Sequence, residues 1–241
     1  MLGATGYGVN LEVPAGAAVD APEATTVLAA QFGDGVVVVG DRQATAGYSI
    51  AHRRIQKVFP ADDFSAVAIS GTAGLAIEMV RLFQTELEHY EKLEGTRLSL
   101  EGKANFLARL VRQQLPMAFQ GLMVIPLFAG YDNGAQQGRL FTFDVVGGTY
   151  EEHEFAATGS GSAEALSYLR SHFEQGLDLA GALRLTLEAL VAAAEQDAAT
   201  GGPDLRRGIL PNVVAVTADG YREIDSETVE SAAQSAMDQI R

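Results

Sequence analysis

Apolar positions along this chain switch between a period of two and a period near 3.6, and the switches divide it into strands and helices. Strands are predicted at Thr25–Gln31 and Val36–Val39, separated by Phe32-Gly33-Asp34-Gly35, where Asp and Gly between β-formers signal a hairpin. Four successive valines, Val36 to Val39, predict a strand buried on both faces. A second strand pair follows at Gln56–Phe59 and Phe64–Ser70, joined by Pro60-Ala61-Asp62-Asp63. Helical spacing then takes over. Ala76, Met79, Val80, Phe83, Leu87 and Tyr90 mark one face of a helix from Thr72 to Lys92. A second helix spans Leu100 to Phe119 with the stripe Leu107, Leu110, Val111 and Leu115, and Pro116 kinks or ends it. Strands return at Leu122–Tyr131 and Arg139–Val146, ahead of a turn at Gly147-Gly148. Helices at Ser162–Glu174 and Leu179–Ala194 come next, the second with Leu183, Leu187, Leu190, Val191 and Ala194 on its apolar face. Strands at Asn212–Thr217 and Arg222–Ile224 precede a last helix from Glu227. The pattern carries no internal repeat and no linker. Its order is compatible with two sheets covered by helix pairs, and by itself supports α+β layers.

Composition narrows the class. The 241 residues fit one large domain or at most two, with apolar residues at 47% and charged residues at 20%. A formal net charge of −14 without a basic run argues against phosphate-mediated nucleic-acid binding and reads as a well-solvated surface. Cysteine is absent, which excludes disulfides and thiolate chemistry and agrees with a cytoplasmic protein. No apolar run approaches a membrane span. Residues Met1–Ala24 contain Gly, Ala and Pro with Glu12, Asp20 and Glu23, and lack Lys, Arg and any sustained apolar stretch. They read as a mobile leader rather than a signal peptide, leaving residues 25–241 as one domain. His52, His89, His153 and His172 are scattered without ligand spacing, so no metal site is expected. No nucleophile-elbow motif favours a Ser-His-Asp triad.

The candidate chemistry lies in Thr25-Thr26-Val27, Gly40-Asp41-Arg42 and Lys57. If cleavage before Thr25 frees its amine, one residue carries a nucleophilic Oγ and a base. An unperturbed α-amino group titrates at about pH 7.7–8.0 and is a recognised activator of a weak hydroxyl nucleophile. A neighbouring lysine lowers that amine pKa further, and Asp41 would hold the lysine charged. Taken singly, each residue has a structural explanation. Thr25 suits a strand start, Asp41 a strand-ending turn, Lys57 a solvated face, Gly71 a strand-to-helix turn and Ser160 a loop near a helix N-cap.

Read together and in order, these segments resemble the β-subunit of the actinobacterial proteasome core particle, an N-terminal threonine peptidase. The likeness also runs through Arg54-Ile55-Gln56-Lys57-Val58, Ser70-Gly71-Thr72-Ala73, Glu86 to Gly95, Gly159-Ser160-Gly161-Ser162 and Asp197 to Asp204. The resemblance implies a four-layer αββα sandwich of the Ntn-hydrolase type. It implies that Thr25 is the nucleophile, that Asp41 pairs with Lys57, and that the Gly71 N–H stabilises the oxyanion. Ser160, Asp197 and Thr200 would orient the threonine amine and its water. Ala44, Ile55, Ile69 and Ala73 would form an apolar first substrate pocket, giving cleavage after hydrophobic residues. Thr45 and Ala73 would contact the peptide backbone. No cofactor is implied. The implied partners are α-type subunits, further β-subunits in stacked heptameric rings, a ring-shaped ATPase unfoldase acting indirectly, and unfolded protein substrates. The leader would be a propeptide removed between Ala24 and Thr25. The family nearly always has glycine at position 24, and alanine adds a Cβ where self-cleavage needs a strained approach. Two alternatives therefore stand beside the peptidase: an unprocessed, silent structural ring subunit, and a simpler two-ring bacterial threonine peptidase.

Overall fold

The computed structural model describes residues 25–47 and 49–240, so the leader Met1–Ala24 lies outside the described residues. The hairpin β1 (Thr26–Phe32) and β2 (Gly35–Gly40) opens the fold, followed by a small ribbon of β3 (Ala44–Ala46) and β4 (Ser49–His52). Strands β5 (Val58–Asp62) and β6 (Ser65–Gly71) lead into helices α1 (Ala73–Glu94), α2 (Leu100–Gln113) and the one-turn α3 (Leu115–Ala118). A meander of β7 (Val124–Asp132), β8 (Gln137–Phe143) and β9 (Thr149–Glu152) precedes β10 (Phe155–Gly159). Helices α4 (Ser162–His172) and α5 (Leu179–Gln196), the hairpin β11 (Asn212–Thr217) and β12 (Gly220–Glu223), and α6 (Ser226–Ile240) complete it.

The strands form two five-stranded antiparallel sheets, ordered β10-β1-β2-β11-β12 and β5-β6-β7-β8-β9. Three apolar layers hold them, which makes the architecture αββα. Leu28, Val37, Val39 and Val213 of the first sheet pack against Leu169, Leu187 and Leu190 of α4 and α5 and Val229 of α6. Val67, Phe128 and Phe141 of the second sheet pack against Phe83 of α1 and Leu107 of α2. Between the sheets lie Val27, Ala29, Val36, Val38, Ala66, Ala68, Leu127, Ala129, Ala156 and Val214. The four valines of β2 are fully buried because alternate members enter different layers. Among the described residues no helix is long and apolar enough to cross a membrane.

Several boundaries differ from the sequence reading. The helix predicted to Phe119 stops at Gln113, because Pro116 lacks an N–H and its ring restricts the preceding residue; it begins a separate short helix instead. Helix α1 runs on to Glu94, where Gly95 at φ 66° closes it with an N–H bond to the Glu91 carbonyl. Tyr90, Leu115 and Ala194, predicted on apolar faces, are only half-buried. Strand β8 ends at Phe143 because Asp144 Oδ1 accepts from the N–H groups of Val146 and Gly148 and turns the chain early. Strands β3, β4, β9 and β10 have no counterpart in the sequence reading; they are three to five residues long, and β4 and β9 are largely exposed, so they carry little hydrophobic signal.

One charged residue sits inside the α2 stripe. Lys103 is buried, and its Nζ reaches Asp62 Oδ2 at 2.5 Å, tying the helix to the β5–β6 turn. Burial alone would raise the Asp62 carboxyl. The Lys103 charge and hydrogen bonds from Lys103, Ser65 and the Phe64 N–H outweigh it and hold the pKa below the ordinary value of 3.8. A depressed folded-state value means that this contribution is complete above 3.8 and is lost as pH falls through the folded pKa. Replacing Lys103 by Met leaves a half-buried carboxylate without its cation, and urea unfolding is expected to show a loss of about 1–3 kcal/mol at neutral pH that narrows under acid. A neutral effect on the unfolding midpoint would contradict the pairing.

Candidate active site

One end of the sandwich collects the starts of β1, β5 and β11 and the ends of β2, β6 and β10. The register shows this directly. Val27 and Asn212 both face Gly40, Thr26 faces Gly159, and Gly71 faces Val124. Residues that flank these strand ends therefore meet although they are distant in sequence.

Asp41, just beyond β2, is fully buried and each of its oxygens takes two donors. Oδ1 accepts from the Thr26 N–H at 2.9 Å and from the Lys57 ammonium. Oδ2 accepts from the N–H groups of Gln43 and Gly201, both at 2.9 Å. Lys57 is 1% exposed, directly before β5 rather than on the solvated face a lone lysine suggests, and also donates to the Gln43 carbonyl. Its own backbone is fixed by Asn212 Oδ1, 3.0 Å from the Lys57 N–H. Burial pushes the Asp41 carboxyl up and the Lys57 ammonium down, each against the attraction of its partner. Three backbone N–H donors that cannot reverse direction favour the carboxylate, so the proton resides on Lys57.

Thr25 is 6% exposed and its carbonyl accepts from the Ser160 N–H at 3.1 Å. Gly159 makes that approach possible. It adopts φ +107°, and a Cβ there would fall 1.6 Å from the Thr25 carbonyl oxygen. Ser160 also bonds Asp197 through its side chain.

A directional hydrogen-bond chain runs beneath this contact. Asp197 Oδ2 can only accept, so the Thr200 hydroxyl donates to it at 2.6 Å. With its proton committed, Thr200 Oγ1 accepts from Thr26 Oγ1 at 2.5 Å, and Thr26 Oγ1 in turn accepts from the Gly161 N–H at 2.9 Å. Burial favours a higher Asp197 pKa, but the hydroxyls of Ser160 and Thr200 and the N–H groups of Ala199 and Thr200 prevail and hold it below the ordinary value. Thr26 does not stand out in the sequence. Its signal is the second threonine of Thr25-Thr26, and a dipeptide says nothing about a partner 174 positions away.

The expected pocket residues Ala44, Ile55, Ile69 and Ala73 line one small, narrow cavity, together with Thr25, Lys57, Ser70, Gly71 and Ala76. Gly71 ends β6 at φ +100°, where a Cβ would meet the Met123 carbonyl at 2.1 Å. Thr45 follows Ala44 on β3 and is buried beside this cavity's wall rather than among its lining side chains. Ser70 Oγ donates to the Ile125 carbonyl at 2.8 Å and contacts Thr158 Oγ1 at 3.1 Å, joining the sheets at this end. The geometry gathers Thr25, Asp41, Lys57, Gly71, Ser160, Asp197 and Thr200 at one end of the fold. Ala24 lies outside the described residues. No group of His, Cys, Asp or Glu among the described residues could hold a metal ion.

The chain through Thr26 yields a test. Thr26→Val keeps the shape but leaves the Gly161 N–H without its acceptor, and unfolding should show a loss of about 2 kcal/mol that Thr26→Ser largely restores. Equal stability of the valine variant and the parent would refute the assigned directions.

Comparison with known proteins identifies the family. The sequence profile described as proteasome subunit matches residues 22–204. The proteasome subunit beta of Acidimicrobium ferrooxidans is 57% identical over 212 residues, covering 88% of this chain and 78% of that protein. The proteasome subunit beta of Streptomyces griseus is 52% identical over 225 residues, with 93% and 80% coverage, and that of Acidothermus cellulolyticus is 54% identical over 225 residues, with 91% and 78%. A profile match over most of the chain, and relatives above half identity along nearly all of it, place this chain in the proteasome subunit family.

Proposed function

We propose that this chain is a threonine-type endopeptidase of the proteasome core, with residues 1–24 as a propeptide and residues 25–241 as the single catalytic domain. The observation that carries the reading is the shared cavity of Thr25, Lys57 and Gly71, walled by apolar side chains. Removal of the leader frees the Thr25 amine. Lys57, kept cationic by Asp41, lowers that amine's affinity for a proton and leaves it able to act as base. The amine accepts the Oγ proton as Oγ bonds to the substrate carbonyl carbon. The Gly71 N–H faces the oxygen that becomes negative. Collapse of the tetrahedral intermediate breaks the C–N bond, and the proton passes from the Thr25 ammonium to the departing amine. An ester on Thr25 remains. Water then adds to it, losing its proton to the same amine, and the carboxyl product leaves. Ser160, Asp197 and Thr200 orient the amine and this water. No step requires a cofactor.

Ala44, Ile55, Ile69 and Ala73 present only hydrocarbon to the residue before the cut, which favours an apolar side chain there, while Thr45 and Ala73 hold the peptide backbone. The family supports assembly with α-type subunits. We extend this to stacked heptameric rings of β-subunits, fed unfolded protein by an ATP-driven unfoldase in the cytoplasm. Ala24 supports a second reading, in which the leader stays attached and the chain serves only as a ring member.

Intact mass separates the two. The peptidase requires loss of residues 1–24 from the assembled particle, a covalent adduct of an epoxyketone on Thr25, and inactivity of Thr25→Ala in a normally assembled particle; a retained leader without adduct selects the silent subunit. Fluorogenic peptides should be cut faster after Tyr or Leu than after Arg or Glu. Because burial lowers the Lys57 pKa, kcat/KM should decline with rising pH before the ordinary lysine value of 10.5. A profile flat to 10.5 would count against the ammonium's role.

A further inference from the structure

Two cavities meet consecutive residues at the start of β5, Lys57 lining one and Val58 the other. One is lined by Thr25; the other opens between β11, β12, the start of α6 and the 208–211 loop. The second cavity is lined by Arg42 and Arg54, and by Asn212, which fixes the Lys57 backbone. This chain carries a net charge of −14, yet two guanidiniums close enough to feel each other's charge line this one cavity. Burial lowers the Arg42 pKa first, Arg54 lowers it further, and Glu223 opposes both. Neither arginine has a carboxylate within ion-pair distance among the described residues. Arg42 Nε donates to the Leu210 carbonyl at 3.2 Å. Arg54 donates through Nη2 to the Arg207 carbonyl at 2.9 Å and through Nη1 to the Gly208 carbonyl at 3.4 Å. Carbonyl dipoles fix both side chains in place without neutralising them. Glu223, exposed on β12, supplies one negative charge against two positive ones. Arg53 and Arg206 line another groove together with Glu195 and Asp204, so that groove adds no net positive charge.

From this arrangement we propose that the cavity between β11, β12 and α6 binds a compact multivalent oxyanion of the phosphate class, bridged by the guanidiniums of Arg42 and Arg54. Planar guanidinium forks suit such an anion because they offer paired N–H donors with fixed geometry. Like charges placed together with no carboxylate in contact lose their mutual repulsion when the anion arrives. The bound anion also fixes the Arg42–Gln43 segment, whose Gln43 backbone contacts both Asp41 and Lys57. Binding itself does not depend on the peptidase reading, and either can fail while the other stands.

The test uses the full chain in its assembled state and inorganic phosphate as the probe. At constant ionic strength, calorimetric titration should show saturable binding of one phosphate per chain. Arg54→Gln should weaken it at least tenfold and Arg54→Lys less, while Arg222→Gln on the same strand as Glu223 should leave it unchanged. Circular dichroism and the phosphate-free melting temperature establish that each variant is folded. Equal binding by parent and Arg54→Gln, or the same response to chloride at matched ionic strength, would overturn the proposal. It would also be overturned if Arg54→Gln altered the sedimentation of the particle without altering phosphate binding, since the pocket would then receive a carboxylate from a neighbouring chain.

Discussion

A carboxylate removed from water must be surrounded by donors, and Asp41 imposes that condition on this fold. Leaving such a charge uncompensated costs several kcal/mol, comparable to a large fraction of a domain's net stability. The donors come from the first strand, from the loop after β2, from the residue before β5 and from the loop after α5. No local segment could supply all of them. Satisfying one side chain therefore requires both sheets and a distant loop to be in register, and the same requirement brings Lys57 to the cavity that Thr25 lines.

The hydrogen-bond chain from Gly161 to Asp197 repeats this logic with neutral groups. Each hydroxyl has a single proton, so fixing the carboxylate end fixes the direction of every bond before it. A polar network satisfied at every member is rigid as well as stable. It attaches the beginning of β1 to α4 and to the end of α5, so the residue ahead of Thr26 inherits little freedom. The glycine at 159 serves the same end by letting the chain pass close to the Thr25 carbonyl.

Much of this was legible in the sequence because the core elements are long and strongly patterned. The valine run of β2, the α1 stripe and the span of β11 all emerge from periodicity. What escapes has physical reasons. Strands β9 and β10 are short; β9 is a largely polar hairpin partner of β8, and β10 pairs with β1 at the other end of the chain. Lys103 interrupts an apolar stripe and looks like a surface residue until Asp62 is seen beneath it. Lys57 likewise gives no local sign of its burial. Thr26 is the clearest case: its role resides in Thr200 and Gly161, and a β-branched residue in a strand needs no further explanation. The segments around Thr25, Asp41, Lys57 and Gly71 stand out only as an ordered set, since each has an ordinary structural use.

The layer between the sheets is notable for its alanines: Ala29, Ala66, Ala68, Ala129 and Ala156. Methyl groups are the smallest side chains that still exclude water, so they act as shims of fixed thickness. Thr25 leads into a strand of one sheet and Gly71 ends a strand of the other, so the spacing of the two layers bears on the gap between them. Enlarging one of these alanines would have to be absorbed by side-chain and backbone shifts within the layer that both sheets share. The tolerances of the cleft are thus machined into a part of the protein that no substrate ever touches.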